Sequence, residues 1–291
     1  MAEQFAPGDN PLKKYFRQPK IYITLPSDGL YYKDQDIEMP ESREIPVYPM
    51  TAKDELAFKT PDSLLNGQTT VNVIQSCVPA IKNAWNMPSI DLDAILVAIR
   101  MATYGEMLDI ETVVPGLDEE RTFELDLRTV LEQLQSSHFD NTLHIGDMTV
   151  TLRPLTYREF TDNALKTFQE QRLFSLVQNQ EEMSESEKIE RFNQSFYALT
   201  ELNINMVVSS IEQIQLEDAA VTDRQHIQEF LQNADSHFYT AIIEHIEKQK
   251  ENFAIPPLTV QTTEEDQEKG APESYQVPVT FDQSNFFESK S

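Results

Sequence analysis

The side chains with the widest chemical reach in this chain are one cysteine, Cys77, and five histidines, His138, His144, His226, His237 and His245. A metal centre needs several such ligands converging on one point, and a nucleophilic thiol needs a base or cation beside it. Only His237 and His245 share roughly one helix face, and two turns apart is too wide for a simple metal pair. His144 alternates with Leu143 and Ile145, the setting of a surface or filler histidine. Cys77 has no basic residue near it in sequence and reads as a buried structural thiol. A single cysteine also excludes an internal disulfide and a Cys-based zinc site within one chain.

Carboxylates abound, so pairs of them carry little information. Asp91 and Asp93, two residues apart, do not share a helix face; they read as dipole and capping groups at a helix start. No G-x-S-x-G, H-E-x-x-H, Walker A or G-x-G-x-x-G pattern is present. The expectation is a protein without catalytic, cofactor-binding or metal-binding residues. The alternative is an acidic cytosolic binding module or enzyme whose site is assembled from distant, unremarkable residues.

Composition narrows the partners. The chain has 291 residues, 40% of them hydrophobic, enough for one large or two modest cores. Its 49 acidic and 23 basic residues give a formal charge of −26, which repels phosphate backbones and argues against nucleic acid. No apolar run approaches the roughly 18 residues that span a bilayer, and no basic segment leads into an apolar stretch at the N-terminus. The expectation is a protein made soluble in the cytosol, with no membrane partner.

The elements that would position a surface are launched by two similar stretches. In Ile45-Pro-Val-Tyr-Pro-Met-Thr-Ala-Lys-Asp-Glu-Leu56, Val47 and Tyr48 suit a strand that Pro49 ends. Thr51 then reads as a helix N-cap whose hydroxyl accepts from the Asp54 N–H while the Asp54 carboxylate reaches back. Val150-Thr-Leu-Arg-Pro-Leu-Thr-Tyr-Arg-Glu-Phe160 repeats the plan, with Thr156 as cap. The echo is too short to separate a repeat from the common use of Pro-hydrophobe-Thr to begin a helix.

In chain order, residues 1–20 read as a flexible arm with a basic cluster around Lys13, Lys14 and Arg17, either a disordered terminus or a docking segment for an acidic neighbour. Residues 21–155 read as an α+β domain. Ile21–Leu25 and Leu30–Tyr32 suggest a hairpin turning at Gly29, and a helix is expected over 54–66. Val71, Ile74, Val78 and Ile81 make one buried helix face over 68–83, and the apolar run 90–105 forms the central helix. Residues 107–112 and 122–127 form a second hairpin, a short helix covers 129–136, and 143–152 form a third hairpin around Gly146-Asp147. Residues 156–255 lack glycine and proline altogether, up to Pro256-Pro257, and read as a helical bundle or long αα-hairpin. Its segments are 157–178, one opened by the Ser184-x-x-Glu187 capping box, and one opened at Thr222. The aromatic stripe through Phe192 and Phe196 reads as core, with a partner groove as the alternative. Residues 256–291 read as a mobile acidic tail ending in an aromatic docking segment with Phe281, Phe286 and Phe287, for this protein itself or for a partner.

The ordered set Leu25-Pro-Ser-Asp-Gly-Leu-Tyr-Tyr32, Ile45–Leu56, Pro61-Asp-Ser-Leu-Leu-Asn-Gly67, Cys77, Asp91-Leu-Asp93 and Ala98-Ile-Arg-Met-Ala-Thr-Tyr-Gly105 resembles the baseplate hub protein family of T-even-type contractile-tailed phages, over roughly residues 21–160. Many members of that family place a cysteine pair shortly after the Tyr-Gly. Here Val114-Pro-Gly-Leu117 stands in that place, which removes a zinc-knuckle reading and leaves the hairpin to packing. The resemblance implies a non-enzymatic hub subunit or hub assembly factor whose partners are other hub or tail proteins. It would work in the host cytoplasm during assembly or in the virion's tail baseplate. It implies a partner-binding knuckle at Pro49, Met50, Thr51, Asp54 and Glu55.

Overall fold

The computed structural model describes residues 10–58, 67–117, 119–178 and 184–279. The fold is α+β, with small antiparallel sheets and helices around two main cores.

The first core forms around α3 (Leu92–Tyr104), whose residues from Ala94 through Ala102 are all buried. Strands β1 (Ile21–Ile23) and β2 (Ile45–Val47) pair antiparallel, Ile21 opposite Val47, and turn Ile23, Ile45 and Val47 inward. Helices α1 (Ala52–Phe58) and α2 (Gln68–Cys77) pack beside them, and α4 (Leu127–Ser136) covers α3 with Leu127, Val130, Leu131 and Leu134. Val71, Ile74, Val78 and Ile81 are buried as their spacing requires, but α2 stops at Cys77. Pro79 disfavours helical backbone in the residue before it. Of the helix expected over 54–66, residues 59–66 lie outside the described set.

The hairpin expected from residues 21–32 does not form. Asp28, Gly29 and Tyr31 all have positive φ (52°, 73° and 67°), so the chain coils through successive turns, and β1 takes its partner from Ile45–Val47. The second hairpin does form, from β3 (Met107–Val113) and β4 (Glu120–Asp126).

The second core combines residues on both sides of the long helices. Strands β5 (Thr142–Ile145) and β6 (Met148–Leu152) pair as a hairpin. β6 also pairs with β7 (Ile211–Gln215), and β7 with β8 (Ala220–Val221), in the order β5-β6-β7-β8. Helix α5 (Tyr157–Gln178) and α6 (Glu185–Ser210) form the αα-hairpin between them. Ser184 and Glu187 make the expected capping box. The stretch read as uninterrupted helix is thus broken by β7, where pairing with Thr149–Leu152 and burial of Ile211 and Ile214 outweigh local preference. The last long helix is also divided, into α7 (Arg224–Asn233), capped by Asp223 rather than Thr222, and α8 (Ser236–Asn252), capped by Asp235.

Residues 258–277, expected as part of a mobile tail, instead fold back as a hairpin of β9 (Leu258–Gln261) and β10 (Ser274–Val277), with the short helix α9 (Glu264–Glu268) at its bend, because apolar contacts and an ion pair to the β3–β4 hairpin hold them. Ala271 and Tyr275 close on Val114 and Leu117 at the tip of the β3–β4 hairpin. Apolar packing holds the tip of that hairpin.

Candidate partner-binding surfaces

The knuckle after β2 is built as its sequence requires. Thr51 Oγ1 and the Thr51 N–H both donate to Asp54 Oδ2 (2.7 and 2.9 Å), and the Asp54 N–H donates to Thr51 Oγ1 (3.3 Å). What sequence reasoning missed is Arg17. Its Nη1 donates to the Pro49 carbonyl (2.7 Å) and Asp54 Oδ2 (3.5 Å), and its Nη2 donates to the Ser76 carbonyl and hydroxyl (2.7 and 2.9 Å). Residues assigned to a flexible arm therefore supply the cation that ties β2, α1 and α2 together. Pro11–Tyr15, just before it, form a 3₁₀ turn. Met50 and Asp54 face inward, and the Met50 N–H donates to Thr103 Oγ1 (3.0 Å). Thr51 and Leu56 are exposed and Glu55 is half-buried, so these form the outer edge of the knuckle.

The same device recurs. Before α5, Thr156 and Glu159 form a reciprocal capping box, and Arg153 grips Glu159 with Nη1 to Oε2 (3.0 Å) and Nη2 to Oε1 (2.7 Å). Burial acts to raise the Glu159 pKa, but the hydrogen bonds from Arg153 and Thr156 outweigh it and the net shift is downward. Before α9, Thr263 and Asp266 form a third box, and Arg121 of β4 grips Asp266 with both Nη atoms (2.6 and 2.5 Å). In each case a guanidinium faces a carboxylate already committed to the first helical turn, where the helix dipole also favours it; Arg153 and Arg121 grip theirs with both Nη atoms, Arg17 with one. Arg153 lies within its own motif, but neither the cap nor the strand pattern there assigns it a role. Arg17 showed only as part of a basic cluster, and Arg121 gave no local signal.

The groups with potential chemistry are occupied structurally. Cys77 is fully buried with Arg17 Nη1 3.7 Å from its sulfur, a cation from 60 positions away. Burial nonetheless dominates and pushes the thiol pKa up to about 12, so the sulfur is protonated and inert at neutral pH. Asp91 makes no side-chain cap bond to α3. It instead accepts from the Ser27 N–H (2.8 Å), the Ser27 hydroxyl (2.6 Å) and the Tyr32 hydroxyl (2.9 Å), fastening the coiled segment after β1 to the central helix. Burial raises its pKa to about 6 despite these bonds. Asp93 sits in the first turn of α3, as the dipole argument expects, and burial alone raises it to about 6 as well. His144 Nδ1 lies 3.0 Å from Thr149 Oγ1, and His245 Nε2 lies 2.8 Å from the Asp140 carbonyl. Among the described residues no group of three or more His, Cys, Asp or Glu side chains could hold a metal ion, and no helix is long and apolar enough to cross a membrane.

Two apolar features remain open. The first is the α5–α6 hairpin. Phe192, Ser195, Leu199, Leu202 and Met206, alternately three and four residues apart, turn toward the seam and are covered at least in part. Phe196, read from sequence as core, is 69% exposed, and Ile189, Tyr197, Phe168 and Leu173 are exposed too. Two helices alone can bury only one stripe of each, and a second apolar stripe then needs a third layer.

The second is a pocket of about 320 Å³ at the seam of the two cores. Ile90, Leu155, Phe160, Met206, Ile246 and Phe253 give it apolar walls, with Asp93 and Lys250 among its polar groups. The predicted docking residues Phe281, Phe286 and Phe287 lie outside the described residues.

Comparison with curated proteins and with solved structures finds no match. A family model described as T4 bacteriophage base plate protein matches residues 18–271, a span that takes in the knuckle, both cores and the Arg121–Asp266 clasp. The chain therefore belongs to the T4-type phage base plate protein family.

Proposed function

We propose that this base plate protein is a subunit of the central hub, or the factor that assembles it, acting through protein–protein contacts and not through catalysis. The observation that carries this reading is the α5–α6 hairpin, which projects Phe168, Leu173, Ile189, Phe196 and Tyr197 outward on rigid helices. Large apolar side chains gathered on an exposed surface are the usual basis of a protein contact. A second contact is the outer edge of the knuckle, where Pro49, Thr51 and Glu55 stand on a backbone that Arg17, Met50 and Asp54 hold from beneath. The net charge of −26 favours neighbours with basic faces and disfavours nucleic acid as a partner.

Quantitative mass spectrometry of purified mature tails and of hub intermediates from infected-cell lysate tests this reading. Presence in both, at a fixed ratio to other hub proteins, marks a subunit. Presence in intermediates alone marks an assembly factor acting in the host cytoplasm. Absence from both refutes the hub reading.

A further inference from the structure

The register of the last hairpin brings the chain at Val277 back toward the seam pocket. Val277 pairs with Leu258, so β10 returns the chain to the place where β9 began. Leu258 is only four residues beyond Ala254, which lines the pocket together with Phe253. Extended chain spans at most about 3.6 Å per residue, so Ala254 lies within about 14 Å of Leu258. Paired strands add about 5 Å. Phe286 is nine residues past Val277 and reaches up to about 32 Å, well over the roughly 19 Å required. The tether is long enough to place its phenyl rings in the pocket without disturbing the hairpin.

The pocket suits such an occupant. An apolar cavity of about 150 Å³ is enough for a benzene ring, so about 320 Å³ has room for two. Its walls are apolar, while Asp93 and Lys250 have no hydrogen bond or ion pair from their side chains to any described residue. The segment Phe281-Asp-Gln-Ser-Asn-Phe-Phe-Glu288 offers matching groups. Asp282 is a counter-charge for Lys250, and the Asn285 amide is a donor for Asp93.

We infer that the seam pocket is an intramolecular docking site for the chain's own C-terminal segment, with Phe286 and Phe287 as anchors, so that the tail latches the first core to the second. This goes beyond the hub reading and does not depend on it: a latch forms in the isolated protein whichever base plate position the protein takes.

The test uses the full chain with Ala254→Cys and Glu288→Cys, since Ala254 is exposed and the native Cys77 is fully buried. Mild oxidation should give a monomeric disulfide in most molecules. Adding Phe286→Ser and Phe287→Ser should lower its yield at least fivefold. The control pairs Glu288→Cys with Glu217→Cys, which lies beyond the end of β7 away from pocket-lining Ser210. A yield no higher than the control overturns the latch. So does a disulfide found only in dimers, which places the tail in a second copy. As a second measurement that leaves the tail intact, chymotrypsin should cut at Phe286 and Phe287 in the native chain at least tenfold more slowly than in a synthetic peptide of residues 278–291. Phe160→Asp at the pocket wall should abolish that protection. Equal cleavage of native chain and peptide refutes the proposal.

Discussion

Arg121 and Asp266, 145 positions apart, meet in a two-pronged ion pair in which each Nη of the arginine donates to a different carboxylate oxygen. The Asp266 side chain is only 2% exposed, and its other commitments are to the Thr263 N–H and hydroxyl. Hydrogen bonds from Arg121, then from Thr263, hold the carboxyl well below the ordinary range. One clasp therefore fixes the last hairpin against the β3–β4 hairpin.

Breaking the clasp should free that hairpin while sparing the two main cores. Arg121→Gln is expected to speed amide exchange over residues 258–277 roughly tenfold, with little change in α3. Gly116→Ala should do the same by another route: its φ is +85°, and an added Cβ would lie 2.7 Å from the Gly270 carbonyl oxygen. A depressed carboxylate lends stability that is complete above its unfolded pKa near 4 and is lost as pH falls toward its folded value. The hairpin should stay protected from exchange at pH 5 and loosen only in stronger acid.

Asp91 and Asp93 predict the opposite slope. Their folded pKa of about 6 exceeds the unfolded value near 4, so between those limits the native state binds more protons and stability rises as pH falls from 7 toward 4. Asp93→Asn should flatten that part of the curve, measured as Tm against pH. Asp91→Asn cannot accept from Ser27 and Tyr32 as the carboxylate does, and should cost about 1–3 kcal/mol at neutral pH.

The knuckle should depend on its arginine as much as on its cap. Thr51→Val is expected to cost about 1 kcal/mol by loss of the N-cap, and Arg17→Ala about 2 kcal/mol through loss of its charge-assisted bonds. Both can be measured by urea denaturation. Arg17→Lys should behave nearly as Arg17→Ala, because an ammonium cannot span the Pro49 and Ser76 carbonyls with one planar fork. In the native wild type Cys77 should resist thiol reagents, with labelling rising only on unfolding.

The exposed face of the α5–α6 hairpin should be dispensable for folding and required for assembly. Ile189→Ser and Phe196→Ser, at 57% and 69% exposure, should change stability by no more than about 0.5 kcal/mol. Incorporation into tails, read by complementation and mass spectrometry, should fall sharply. Normal incorporation would direct attention to the knuckle.

By itself the sequence determined the parts whose information is local. Thr51 with Asp54, Thr156 with Glu159 and Ser184 with Glu187 announced their helices, because a cap and its reciprocal carboxylate lie three residues apart. The β3–β4 and β5–β6 hairpins were legible from alternation and turn residues, and α3 from its unbroken apolar run. Tertiary structure decided everything that spans a long separation. β1 paired with Ile45–Val47 because positive φ at Asp28, Gly29 and Tyr31 turned the nearer segment away. Ile211–Gln215 became a strand because β6 offered it an edge, and Phe196 was left in solvent because a two-helix hairpin has only one inner face. Arg17, Arg121 and Asp91 took their roles from partners 37, 145 and 64 positions away. Charge and hydrogen-bonding capacity are written in each residue, but which donor meets which acceptor is fixed only when the cores close and exclude the water that would otherwise satisfy both.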